Sequence, residues 1–469
     1  MVFNSFDFAL FLVIVFTLFW VIPNRFKWVL LLLASCFFYM YWNPVYIFLL
    51  MGSTLIDYYL SLYLIGNDDP RKRKIGLGLN LVISLSVLFL FKYFSFFLQI
   101  SEEVLALLGI KYQPPEYSIL LPMGISFYTF QSISYAIDVY RKEIKPERNF
   151  FRFALFISFF PQLVAGPIER AKHLLPQLAK KIFVFSREHL KIGLLYILWG
   201  LFQKCVIADN CSYIVDSFFD NYSSYSGGAL AYAAILFAFQ IYTDFAGYSN
   251  MAIGIAKLFD VELITNFKTP FLAQSVTDFW RRWHISLSLW FRDYLYIPLG
   301  GNRLGRFRTY LNLFIVFIIV GIWHGASYNF IIWGLLHGVV LILERMLKVK
   351  SDSNFFLLRF FKVVITFSVV AFIFVSFRVH ELQPLIHIYE KIIHLNLNDF
   401  LFWLVDNRFS FGFLGIYILV GVELYLKKAS LTKLLTTPKF VLYPFCILLF
   451  FMLLLMGRSE GGQFIYFQF

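Results

Sequence analysis

The chain has 469 residues, of which 60% are hydrophobic and only 15% are charged. Soluble globular domains carry roughly a quarter charged residues, so this composition excludes an ordinary water-soluble fold. The formal net charge of +13 comes mostly from short loops between apolar segments. This is the positive-inside pattern of a membrane protein and argues against a nucleic-acid-binding surface.

The apolar segments predict an all-α polytopic membrane protein with about twelve crossings, in one domain over residues 1–469. No cleavage pattern accompanies the first segment, Phe8–Ile22, so it predicts a retained membrane helix. Basic loops at 23–27, 71–74 and 141–148 predict cytoplasmic positions and place both termini outside. Two further helices are predicted between the loops at 23–27 and 71–74, the second of them over 44–65. The later predicted helices are 75–98, 119–139, 190–209, 229–256, 309–326, 329–347, 355–378, 411–427 and 439–456.

Residues 150–168 are apolar but too short to cross, and they contain Pro161, Gly166 and Pro167. Broken backbone at membrane depth persists only where it is packed in protein or lines a cavity. The pattern therefore predicts a re-entrant segment.

Residues 240–260 place Asp244 and Asn250 among apolar neighbours. An acid at that depth needs a partner or a wet cavity, so both residues are candidates for substrate binding, and a packing role for Asp244 stays open.

Residues 278–308 form the second polar feature and lie in a cytoplasmic stretch. At helical spacing one face is apolar and the other basic, which predicts an amphipathic interfacial helix. The basic face suits a phosphorylated ligand entering from the cytoplasm, although a plain interfacial anchor has the same pattern. The apolar stripe comprises Trp283, Leu287, Trp290 and Tyr294, and the basic face Arg281, His284, Ser288 and Arg292.

Two histidines, His324 and His337, fall within apolar segments, whereas His380, His387 and His394 fall in a predicted external loop. With a rise of about 1.5 Å per residue, His324 lies roughly 20 Å into its helix. Burial disfavours a charged imidazole, and a neutral one can accept a proton as a general base. An interhelical hydrogen bond is the alternative role for either residue.

The chain ends in "RSEGGQFIYFQF", an aromatic segment that the topology places outside. An aromatic belt at the membrane interface explains this composition. The alternative is a tail that re-enters an external cavity and offers the hydroxyl of Tyr466.

Several long stretches resemble the membrane-bound O-acyltransferase (MBOAT) family, above all its bacterial polysaccharide branch of alginate and peptidoglycan O-acetyltransferase subunits. The motifs "FWRRWHISLSLWFRDYLYIPLGGNR" and "GIWHGASYNFIIWGLLHG" carry the resemblance. It extends through residues 121–141, 160–170 and 241–259.

The resemblance implies tilted helices around a central tunnel, in the inner membrane of a bacterium. His324 matches the family's catalytic histidine, and His284 its second motif position. The branch passes acetyl groups from cytoplasmic acetyl-CoA to an extracytoplasmic SGNH-type partner that esterifies a glycan. Related D-alanylation systems use a tail tyrosine as acyl relay, which favours Tyr466 as acceptor.

The resulting hypothesis docks the phosphates of acetyl-CoA near Arg281, Arg282 and Arg292, while Trp323 and His284 position the thioester. We expect no resident cofactor and no metal, because no carboxylate or cysteine cluster has ligand spacing. Open alternatives are an acyl-histidine intermediate, a lipid, protein or teichoic-acid acceptor, and a transporter with proton-relay groups.

Overall fold

In the computed structural model the described residues are 1–115, 119–164, 166–350, 353, 355–379, 381–396, 410–458 and 464–465, with residues 410–412 as backbone only. Among these residues the secondary structure is helical and contains no strand. The chain divides into two compact units, Met1–His189 with Ala256–Leu263, and Leu190–Ile255 with Ile264–Phe469. A single domain stays a prediction.

The first unit contains nine helices within its described residues. A π-helical segment, Phe89–Tyr93, joins the fourth helix to the fifth. The helices are α1 (Phe6–Val21), α2 (Asn24–Met40), α3 (Tyr46–Gly66), α4 (Pro70–Leu88), α5 (Phe94–Leu107), α6 (Ile125–Tyr140), α7 (Phe150–Ser158), α8 (Phe160–Leu163) and α9 (Ala171–Leu178).

The segment predicted to be re-entrant is broken and buried. Helix α7 ends at Ser158 and α8 begins at Phe160, whose N–H donates to Ser35 Oγ of α2 at 3.1 Å. The Gln162 amide donates to the Phe156 carbonyl at 2.9 Å. Protein groups thus bind backbone that the break leaves without helical partners, as the sequence predicts.

The second unit contains eleven helices within its described residues. Its long first segment runs through α10 (Arg187–Leu201), a π-helix (Phe202–Ala208) and α11 (Asp209–Asp220). The others are α12 (Gly227–Leu258), α13 (Val276–Trp280), α14 (Ile285–Phe291), α15 (Gly305–His324), α16 (Tyr328–Met346), α17 (Phe356–Arg378), α18 (Leu382–His394), α19 (Ser410–Leu426) and α20 (Lys439–Met456).

Helices α15 and α16 pack as an antiparallel pair through small residues. A methyl group on Gly321 would lie 2.3 Å from the Phe330 carbonyl oxygen, and one on Gly334 would lie 2.3 Å from that of Phe317. Only glycine permits this close approach of the two backbones. In a membrane the lipid tails are as apolar as the side chains, so close packing of this kind drives helix association instead of the hydrophobic effect.

The composition of the helices confirms a multi-pass membrane protein. Eight helical segments of the described chain are long and apolar enough to cross a membrane, and two shorter apolar helices accompany them. These ten segments, together with α2 and α6, occupy the positions of the predicted crossings.

One local prediction is wrong. The interfacial helix predicted over 278–308 is interrupted: α13 ends at Trp280, residues 281–284 form a turn, and α14 starts at Ile285. The predicted external loop around His387 contains α18, and its external position stays a prediction. Its apolar residues recur at helical spacing, but the segment is too short to be found by a search for membrane crossings.

Candidate active site

His324 is the last residue of α15 and is enclosed by aromatic rings. Its side chain is 3% exposed. The ring centroids of Trp323, Trp333 and Phe377 lie 5.0, 4.8 and 5.2 Å from that of the imidazole, all near edge-on. Three helices, α15, α16 and α17, thus build a cage of aromatic rings around one imidazole.

His337 is equally buried but differs in its surroundings. It lies on α16, and the Trp280 indole donates to its Nδ1 at 3.4 Å. The ring of Trp333 separates it from His324, at 4.8 Å from each imidazole. His337 therefore has the interhelical hydrogen bond that the sequence allows for either histidine.

His284 joins the same aromatic cluster from the turn before α14. Its backbone has φ 41° and ψ 55°, a left-handed conformation that is strained for a residue other than glycine. The conformation is held by the Ile285 N–H, which donates to the Asn266 carbonyl at 2.9 Å. The imidazole lies 6.2 Å from Trp323 and 4.7 Å from Phe245, centroid to centroid.

The hydrogen bonds around His284 define its tautomer. Asn266 Oδ1 accepts from the Ser286 N–H at 3.2 Å and from the Ser286 hydroxyl at 2.8 Å. The same oxygen lies 3.3 Å from His284 Nδ1, so Nδ1 is the donor and carries the proton. The lone pair of the neutral ring is then on Nε2.

We expect acid to destabilise the protein through His284. Burial lowers the pKa of His284 from 6.5 to about 3. Between these values the unfolded chain binds more protons than the folded protein, so the free energy of unfolding falls as the pH drops. A His284→Gln variant should lose part of this acid sensitivity, measured as the thermal midpoint in detergent between about pH 7 and about pH 4.

His173 is expected to change stability with pH in the opposite direction to His284. Its hydrogen bond to Glu169 raises its pKa, so its stabilising effect is present at low pH and is lost as the pH rises. Equal acid sensitivity of wild type and His284→Gln would contradict the expectation for His284.

The three arginines predicted to bind phosphate have different environments. Arg282 is 7% exposed and forms a two-pronged pair with Asp278, Nε to Oδ1 at 3.0 Å and Nη2 to Oδ2 at 2.6 Å. Arg281 is exposed, and the side chain of Arg292 is 56% exposed. The two exposed arginines can reach a ligand without giving up a buried ion pair, whereas Arg282 cannot.

Arg281 and Arg292 line the same cavity, of about 290 Å³. The remaining walls are mostly apolar and come from α13, α14, α15, α16 and the π-helix after α14. Helix α15 contributes four residues to this cavity: Leu313, Val316, Phe317 and Val320. Their spacing continues to His324, one turn or about 6 Å beyond Val320, so the cavity wall and the caged imidazole share one helix face.

Asp244 and Asn250 both lie on α12 but contact different groups. Asp244 is paired with Lys204, with Nζ 2.7 Å from Oδ1, and its Oδ2 accepts from the Ile465 N–H at 2.8 Å. The Asn250 amide donates to Gln203 at 2.7 Å. The structure thus connects Asp244 to the C-terminal segment through Ile465.

That segment reaches the aromatic cluster through Phe464, whose ring centroid lies 4.4 Å from Tyr248 and 5.9 Å from Phe245. Tyr466, the predicted acyl acceptor, lies outside the described residues. The sequence reasoning missed Lys204, although a lysine inside the apolar run of 190–209 is a signal of the same kind as Asp244.

The comparisons with known proteins now identify the family. The model of the MBOAT, membrane-bound O-acyltransferase family matches residues 143–383, which include the histidine cage and the basic cavity. The chain belongs to this family. It is therefore an acyltransferase rather than a transporter, and the predicted family and fold class are confirmed.

Curated relatives of this acyltransferase are named for acyl transfer to alginate, peptidoglycan or teichoic acid. It is 42% identical over 398 residues to the probable alginate O-acetylase AlgI of Pseudomonas aeruginosa, covering 83% of this chain and 74% of that protein. It is 36% identical over 392 residues to the peptidoglycan O-acetyltransferase of Helicobacter pylori, covering 78% and 73%. The teichoic acid D-alanyltransferase of Bacillus subtilis is 28% identical over 242 residues, covering 48% and 60%.

Proposed function

We propose that this acyltransferase takes acetyl groups from cytoplasmic acetyl-CoA and passes them across the membrane for O-acetylation of an extracytoplasmic polysaccharide of the alginate or peptidoglycan type. The names of the relatives with the higher identities support the acetyl group and the polysaccharide. The bacterial inner membrane and the external termini follow from the basic loops and from the resemblance.

One observation carries the mechanism: the face of α15 that lines the cavity of Arg281 and Arg292 ends at the caged His324. The exposed arginines suit the phosphates of acetyl-CoA, because guanidinium groups bind phosphate with paired hydrogen bonds. The apolar walls suit the pantetheine arm. A ligand held in this way extends from the arginines toward the imidazole.

His324 then acts as the general base. Its neutral imidazole takes the proton of an acceptor hydroxyl while the hydroxyl oxygen attacks the thioester carbonyl. The C–S bond breaks, and the coenzyme A thiolate leaves and is protonated. An unperturbed tyrosine has a pKa of about 10, so a tyrosine acceptor needs such a base at neutral pH.

Trp323 and His284 position the thioester beside the base. Trp323 is adjacent to His324 in the chain and lies between the two imidazoles in the aromatic cluster. His284 offers the lone pair of Nε2 as a hydrogen-bond acceptor, since its Nδ1 donates to Asn266. The left-handed backbone at His284 is the kind of local strain that clusters at functional sites.

Tyr466 is the proposed acyl acceptor, from which an SGNH-type partner outside the membrane takes the acetyl group. The resemblance to D-alanylation systems supports this assignment. The position of Phe464 against Phe245 supports it independently, because Phe245 also contacts His284.

The choice of donor tests the function. Membranes containing the protein should transfer labelled acetyl from acetyl-CoA to the host polysaccharide, and deletion of the gene should remove its O-acetyl groups. Palmitoyl from labelled palmitoyl-CoA should not reach the same polysaccharide, because the relatives with the higher identities are named for O-acetylation.

Transfer of palmitoyl rather than acetyl would contradict the proposal and favour a lipid or protein acceptor. Loss of D-alanine from teichoic acid in the deletion strain, with unchanged O-acetyl content, would favour the activity that names the Bacillus subtilis relative.

A further inference from the structure

The C-terminal segment is held on α12 by its main chain. The N–H of Ile465 donates to Asp244 Oδ2 at 2.8 Å, and Phe464 is 1% exposed with its ring against Tyr248. A bond to the backbone does not depend on which side chain residue 465 carries. It fixes the main chain at the residue that precedes Tyr466 in the sequence.

Asp244 is itself fixed by a buried lysine. Lys204 Nζ lies 2.7 Å from Asp244 Oδ1 and 2.8 Å from Asp209 Oδ1, and the side chains of all three residues are almost fully buried. Lys204 belongs to the π-helix 202–208, a backbone form that recurs at functional sites. The lysine leaves one oxygen of Asp244 directed at the chain end.

Close packing of α10 against α12 through two glycines brings Lys204 to α12. A methyl group on Gly200 would lie 2.5 Å from the Gly247 carbonyl oxygen, and one on Gly247 would lie 2.8 Å from that of Gly200. Helices α10 and α12 therefore meet with their backbones in contact, as small residues allow in membranes. Gly200 lies about one helical turn before Lys204, and Gly247 lies about one turn after Asp244.

The chain is held again before residues 459–463. The N–H of Arg458 donates to the Cys205 carbonyl at 3.2 Å, and the Asn210 amide donates to the Met456 carbonyl at 3.0 Å. Both attachments are to the π-helix or the first turn of α11. The same short region thus binds the chain before and, through Lys204 and Asp244, after these five residues.

We infer that the Lys204–Asp244 pair is a positioning device for the acyl relay: it clamps the main chain at Ile465 and presents Tyr466 to the histidine cluster. The inference rests on the proposed function. Phe464, one residue from the clamp, contacts Phe245, and the Phe245 ring lies 4.7 Å from that of His284. Asp244 therefore acts through the tail, not by binding substrate as the sequence suggests.

Space beside the clamp supports this role. A polar cavity of about 260 Å³ borders Asp244 and Ile465, and Arg378 lines it together with Asp216. Arg378 ends α17 and follows Phe377 of the His324 cage. Ile465 thus borders a polar space that an acceptor of the acetyl group can enter.

Hydrogen–deuterium exchange of the C-terminal peptide tests the clamp without measuring activity. In Asp244→Ala the amide at residue 465 loses a charge-assisted hydrogen bond, so the peptide should exchange about tenfold faster or more than in wild type. Exchange in α10 and α12 should stay unchanged. Asp209→Asn is the matched control, because Asp209 pairs with the same lysine, whereas the Ile465 N–H donates to Asp244, and its C-terminal exchange should resemble wild type.

Asp244→Asn serves if the alanine variant does not fold. It keeps an oxygen acceptor but loses the charge, so its C-terminal exchange should be faster than that of wild type by a smaller factor. Unchanged C-terminal exchange in the folded Asp244 variants would overturn the clamp.

Activity distinguishes the clamp from the relay. Both Asp244→Ala and Tyr466→Phe should lose acetyl transfer, and the acetylated tail seen by intact-mass measurement in wild type should be missing in both. Fast C-terminal exchange with normal transfer in Asp244→Ala would overturn the positioning role. An active Tyr466→Phe variant would instead remove the relay from the proposed function, and the exchange result would still report on the clamp.

Discussion

Replacing His324 with alanine is expected to lower the rate of acetyl transfer by about 10²- to 10⁴-fold, the usual contribution of a general base. The imidazole is enclosed by Trp323, Trp333 and Phe377, so no other side chain of this cage can accept a proton. The rate is measured as labelled acetyl transferred from acetyl-CoA to polysaccharide, per amount of folded protein in the membrane.

His337→Gln is the matched control for that result. His337 is also fully buried and also touches Trp333, but it is bonded to Trp280. Glutamine keeps an acceptor for the indole, so this variant should retain transfer. An active His324→Ala variant, or equal losses in both histidine variants, would show that the assignment of the base is wrong.

Replacing Arg282 with methionine is expected to destabilise the fold by about 3–5 kcal/mol, because it leaves the carboxylate of Asp278 buried without its cation. Asp278 is 6% exposed, and Arg282 occupies both of its oxygens. The loss is measured as a lower thermal midpoint and a smaller yield of monodisperse protein in detergent.

The neighbouring arginine is the control for this change. Arg281 is exposed, so Arg281→Met should change stability by no more than about 0.5 kcal/mol while weakening the use of acetyl-CoA. Removing both partners in Arg282→Met/Asp278→Leu should recover much of the lost stability. Equal stability of the two single variants would contradict a structural role for Arg282.

The membrane helices could be predicted closely because lipid imposes a strong rule on sequence. A crossing needs a long apolar run, and α20 begins and ends at the predicted residues 439 and 456. The short helices α14 and α18 leave no such signal. Their ends depend on local contacts. For example, the Ile285 N–H donates to the Asn266 carbonyl at the residue where α14 begins.

The candidate site was predictable residue by residue but not as an arrangement. His324 and Asp244 stand out because ionisable groups are rare at membrane depth. The docking hypothesis gave Arg281 and Arg282 the same role as phosphate ligands, whereas the structure buries Arg282 against Asp278 and exposes Arg281. A sequence pattern records which residues are polar, and only the tertiary fold determines which of them pair with each other.

In the proposed function the acetyl group crosses the membrane by way of His324. The test uses proteoliposomes of uniform orientation, with labelled acetyl-CoA on the side of the 257–308 loop and the polysaccharide and an SGNH-type partner on the other side. Wild-type protein should place label in the polysaccharide, and His324→Ala almost none. Label that appears only when donor and polysaccharide share one side would contradict it.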